Sequence, residues 1–201
     1  MTPPLAPAMK AWLRRIGNSL DSLALEAPGP HGDVPPLVQP QAGQPIAPAL
    51  LARHHPQPKA RPAMQALYQR CLLHYRQRLQ HGAAQDDAGL AAACFVLANL
   101  AAVRGLQPAE DDLMRVERQL RGRIAPVWLQ APLADRQSAC EQFAVIGVLV
   151  GESAAQARGQ GAAAQAAVQQ AARGYLTQGF GIDADRLQLG ANGLVLELAT
   201  A

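Results

Sequence analysis

Aromatic side chains are scarce in this 201-residue chain, at 4%, and charged ones are few, at 16%, while 49% of residues are hydrophobic. A core short of Phe, Tyr and Trp has to be filled by Ala, Leu and Val, whose small volumes permit close contact between helices. Cysteine is limited to Cys71, Cys94 and Cys140. An odd count without disulfide-like spacing excludes a disulfide framework, and each thiol lies inside an apolar helical pattern, as a reduced core residue would. No apolar run reaches the roughly 20 residues that a membrane-spanning helix needs. The longest, residues 88–103, is apolar or Gly except for Asn99. It is too hydrophobic all round for a surface helix and is expected at the centre of the fold.

Chemical motifs are equally sparse. The "GQG" at 159–161 and "GFG" at 179–181 lack the preceding strand and following spacing of a phosphate-cradling loop. Cys71 and His74, with His81 about two turns on, have no second Cys/His pair to complete the four donors that zinc takes. Neither a metal nor a cofactor is therefore expected. His54 and His55 lie between prolines, without the held geometry a site requires, and nothing specifies Cys140, beside Glu141, as a nucleophile. The acid pairs Asp86-Asp87 and Asp111-Asp112 fall at helix starts, where capping and the helix dipole account for them. This inventory is that of a non-enzymatic protein.

What the chain does have is helical periodicity. Met9, Trp12, Leu13, Ile16, Leu20 and Leu23 recur at three- and four-residue intervals and predict an amphipathic helix within residues 1–26. Arg14, Arg15, Asn18, Ser19 and Asp21 interrupt the apolar run that a signal peptide requires, so a cytoplasmic location is expected, with a periplasmic one as the alternative if a signal has been removed. Residues 27–62 hold ten of the 16 prolines. Proline removes backbone donors and disfavours helix in the residue before it, so residues 27–61 are expected to form a semi-extended linker.

A helical domain over residues 62–201 follows. Its first helix places Met64, Leu67, Tyr68, Cys71, Leu72, Tyr75 and Leu79 on one side, and the 88–103 segment comes next, stopped at Gly105. Pro108 and a run of acids open the third helix, and Pro126 and Pro132 are expected to bracket a connector carrying Trp128. Gly147 and Gly151, four apart in a second strongly apolar helix, predict close approach by the Ala-rich 88–103 helix. These two form the central pair of a bundle. Beyond an Ala/Gln-rich helix the period changes: Leu187, Leu189, Leu194, Leu196 and Leu198 alternate around Asn192-Gly193, the mark of a small hairpin or extended tail. The fold class is mainly α.

The ordered segments "DDAGLAAACFVLANLAAVRG", "RQSACEQFAVIGVLVGES" and "GFGIDADRLQLGANGLVL" resemble a family of uncharacterised bacterial helical domains of unknown function, over roughly residues 62–197. The resemblance implies a fold and carries no activity. Its members often look exported, which this chain does not.

The net charge of +3 and pI near 9.0 mark a mild basic excess. Arg115, Arg118, Arg121 and Arg123 form the densest basic series, but Glu117 interleaves it as on a solvated face. The expected function is a protein–protein interaction module, of adaptor, accessory or inhibitor type, whose tethered N-terminal helix lays Met9, Trp12, Leu13, Ile16, Leu20 and Leu23 into a groove of a partner or of its own domain. Nucleic-acid binding and membrane-surface association are the rival classes.

Overall fold

The central helix of this chain starts and stops where a side chain and a glycine supply what the backbone lacks. In the computed structural model, which describes residues 10, 11, 13, 14, 35–38, 43–79, 86–181 and 183–197, the named elements are six α-helices, a short 3-10 turn (Pro58–Ala60) and one hairpin: α1 (Ala47–Arg53), α2 (Arg61–Arg78), α3 (Ala88–Arg104), α4 (Glu110–Trp128), α5 (Leu133–Ala157), α6 (Ala162–Phe180), β1 (Leu187–Gly190) and β2 (Gly193–Leu196). The Asp87 carboxylate caps α3, accepting from the Gly89 and Leu90 amides, and left-handed Gly105 ends it. The fold is mainly α, as expected.

The core is centred on α3, which packs against α4, α5 and α6 and makes its most extensive contact with α5. The central pair is therefore α3–α5, but the two glycines differ. A Cβ at Gly147 would come within 3.1 Å of the Cys94 and Phe95 backbone, whereas one at Gly151 would meet nothing within 4 Å. Close approach is confined to Gly147; Gly151 opens onto a cleft because the helices diverge before reaching it. Phe95 and Phe143 meet edge-on across this pair, 5.5 Å between centroids. Aromatic contacts of that geometry add to what burial alone contributes.

Two expectations change. The α4 helix runs through Pro126 to Trp128 instead of ending in a connector. Interior proline costs about 3 kcal/mol; burying Trp128, which is 1% exposed, offsets much of that, since a large apolar side chain gains a comparable amount. The proline-rich stretch, in turn, is not linker throughout. Residues 47–53 form α1, and Leu37, Ala47 and Leu51 are buried in the domain core. A proline at the second helical position of α1 leaves no internal helix bond unmade.

The hairpin pairs Leu187 with Leu196 and Gly190 with Gly193, so its loop is Ala191–Asn192, one residue earlier than the Asn-Gly signal suggested. It is clamped to α4 by the buried Gln119 amide, which donates to the Leu194 carbonyl and accepts from the Leu194 amide, both at 2.8 Å. Leu187, Leu194 and Leu196 face the core, and Leu198 lies outside the described residues.

Gly147→Ala should lower stability by about 1–3 kcal/mol through overpacking against the Cys94–Phe95 backbone. Gly151→Ala should leave stability unchanged or raise it by up to about 1 kcal/mol, the helix-propensity difference. Urea denaturation of both variants checks this; equal losses would refute the assignment of the close contact to Gly147.

Candidate functional site

The buried acids are engaged in holding the fold. One oxygen of Asp87 caps α3, and the other accepts from the Leu37 amide and the Arg121 guanidinium, each at 3.1 Å. An isolated bridge between Val38 and Asp87 lies alongside. Arg121 also pairs with Glu117, whose carboxyl is pushed up by burial and pulled back by Arg121. Glu141, 3% exposed, accepts from the Ile46 and Ala47 amides at 2.7 and 2.8 Å and from Gln137 at 2.9 Å. It satisfies the donors at the start of α1 from another helix. Asp112 accepts from the Ala109 amide at 2.8 Å, the capping role expected of it.

Nucleophilic and metal-ligating groups are similarly placed. Burial pushes the Cys71 thiol up to about 11 and Cys94 to about 12, and raises Cys140 further, the reverse of what a reactive thiolate needs. His74 Nδ1 lies 2.7 Å from Glu152 Oε1, bridging α2 to α5 at the surface. His81 lies outside the described residues, and no cluster of three potential ligands occurs among the described ones. Asn99 donates to the Phe95 carbonyl of its own helix at 2.7 Å.

Of the six N-terminal residues expected to contact a partner, Leu13 is described. It is fully buried within the chain's own core cluster, so the groove it fills is built from the same chain. Met9, Trp12, Ile16, Leu20 and Leu23 lie outside the described residues.

The surface charge is distributed differently from the sequence expectation. In the Arg115–Arg123 series, Arg115 pairs with Asp112 and Arg121 with Asp87 and Glu117, Arg123 also has a partner, and Arg118 is exposed. A one-signed basic segment spans α1, α2 and the turn between them. Residues 34–85 contain Arg53, Lys59, Arg61, Arg70, Arg76 and Arg78 and no Asp or Glu, which leaves the remainder of this +3 chain net negative. Arg76 turns inward to Asp86, whereas Arg53, Lys59, Arg61, Arg70 and Arg78 are exposed. Arg70, Leu73, His74 and Gln77, at helical spacing, share the outer face of α2. Leu73 is 54% exposed at its middle. A charge count by segment would have found this face; counting clustered arginines did not.

A second surface feature is a cleft of about 400 Å³ where the end of α3, the last turns of α5 and the first turns of α6 diverge. Ala98, Ala101, Gly151 and Ala154 line its floor, and Gln107, Arg158, Gln165 and Gln169 supply its polar lining.

With this geometry in hand, the comparison with known families is specific: the model of a family of unknown function, DUF6683, matches residues 35–197. The chain belongs to this family. The DUF6683 match begins at residue 35, where Leu37 enters the core and meets Asp87, so the domain starts well before residue 62. No curated protein and no solved structure matches the chain. Among the described residues of the DUF6683 domain and its N-terminal flank, no helix is long and apolar enough to cross a membrane.

Leu13→Ala should cost about 2–5 kcal/mol, as a truncation in a closed core does; a calorimetric melt unchanged from wild type would place Leu13 outside the core. At pH 8 the folded protein should react with a thiol-specific disulfide reagent far more slowly than the unfolded chain, where all three thiols respond. Fast stoichiometric labelling of any one would show a poised nucleophile.

Proposed function

We propose that this DUF6683 protein is a non-enzymatic protein–protein interaction module that docks an acidic partner surface through the outer face of α1 and α2. The single observation that carries this reading is the charge segregation: six basic and no acidic residues in segment 34–85 of a chain that is net negative elsewhere. An excess of one charge sign steers association and selects partners of opposite charge, and Glu152 of α5, bonded to His74, is the acid that borders this face. Leu73, exposed among Arg70, His74 and Gln77, supplies an apolar contact of the kind that interface cores use. The face lacks exposed aromatic side chains for base stacking, which favours a protein over single-stranded nucleic acid. In this reading the N-terminal segment, through Leu13, docks onto its own domain.

A photoreactive amino acid at Leu73, introduced in the native host, should capture an acidic protein, identified by mass spectrometry. Arg53→Glu combined with Arg70→Glu should abolish that capture while leaving thermal stability within about 0.5 kcal/mol per site, as surface changes do. Cross-linking to nucleic acid or lipid instead would transfer the face to one of the rival classes. Capture that survives both charge reversals would overturn the electrostatic reading.

A further inference from the structure

We propose that the cleft between α3, α5 and α6 binds a small organic monocarboxylate with an apolar body. The site lies apart from the α1–α2 face, and the inference does not depend on the docking reading. A volume of about 400 Å³ falls in the range of small-molecule pockets, roughly 300–1,000 Å³, which combine apolar walls with a few placed polar groups.

The lining has that division. The floor is alanine methyl groups and Gly151, with Leu106 and Val168 flanking it. Arg158 is the one charged lining residue, and no carboxylate lines the cleft. No Asp, Glu or backbone acceptor engages the exposed Arg158 guanidinium among the described residues. Gln165 and Gln169, one turn apart on α6, add amide donors and acceptors beside it. One unneutralised positive charge over an apolar floor is complementary to a single negative charge on an apolar molecule, and guanidinium matches carboxylate geometry with two parallel N–H donors.

Gly151 supplies an independent reason to read the space as a site. Glycine inside a helix is unfavourable relative to alanine, and close packing does not require it here, since a Cβ would meet nothing within 4 Å. Its effect is to deepen the cleft. Gly147, one turn earlier on the same helix, has a steric reason that Gly151 lacks.

The probe is decanoate, titrated calorimetrically into the full chain, with decan-1-ol and decylammonium as neutral and cationic counterparts. Decanoate should bind about tenfold more tightly than decan-1-ol, the worth of one charge-assisted hydrogen bond, and decylammonium should bind worst. Arg158→Gln should remove the preference for decanoate while decan-1-ol binding persists. Gly151→Phe should fill the cleft and abolish binding of both, with Gly151→Leu as the second variant should the larger ring perturb folding. Absence of decanoate binding at millimolar concentration would overturn the proposal, as would equal binding of decanoate and decylammonium, or binding that survives in a folded position-151 variant.

Discussion

One carboxylate ties together three parts of the molecule that are distant in sequence. Asp87 caps α3 with one oxygen and with the other holds the Leu37 amide and the Arg121 guanidinium of α4. At 1% exposure it is removed from water, so its charge is tolerable only because Arg121 and three amides compensate it. The start of the central helix, the entry of the proline-rich segment and the position of α4 are thus mutually dependent. Losing one partner would leave a buried charge incompletely satisfied, which is costlier than never having built the pair. Glu141 repeats the device on a smaller scale, anchoring the first turn of α1 from the middle of α5.

The alanine-rich composition has two structural consequences that pull in different directions. Where α3 and α5 touch at Gly147, small residues allow a backbone approach that no larger side chain would permit. Where the same helices diverge toward α6, small residues cannot fill the gap, and a cleft remains. The small side chains thus leave a space of about 400 Å³ at the end of the central pair. The charge pattern follows a similar division: acids at helix starts pair with Arg115 and Arg121 of α4, and the acid-free α1–α2 segment is left with exposed positive charge.

Periodicity and end signals were sufficient for most of the helices. The 88–103 run, the stop at Gly105, the acids opening α4 and the alternating leucines of the hairpin are local features, and local features determine local structure because helix and strand place side chains at characteristic intervals. The same reasoning failed at Pro126 and in residues 45–53. There the local cost of proline is real, but it is outweighed by burial of Trp128 and Leu51 and by the Glu141 cap, none of which is visible within a short window. Gln119 was missed for the same reason, since its two bonds to Leu194 span 75 residues.

The sequence by itself determined that this is a mainly α chain with an unusually apolar central helix, reduced thiols and a two-stranded end, because composition and period act over a few neighbouring residues. Only the tertiary structure decided which of two equivalent-looking glycines makes the close contact, which acids cap which helices, that Leu13 belongs to the chain's own core, and where the cleft opens. Those outcomes depend on how far apart two helix backbones lie at a given turn. That distance is set jointly by every side chain along the contact and by no single stretch of sequence.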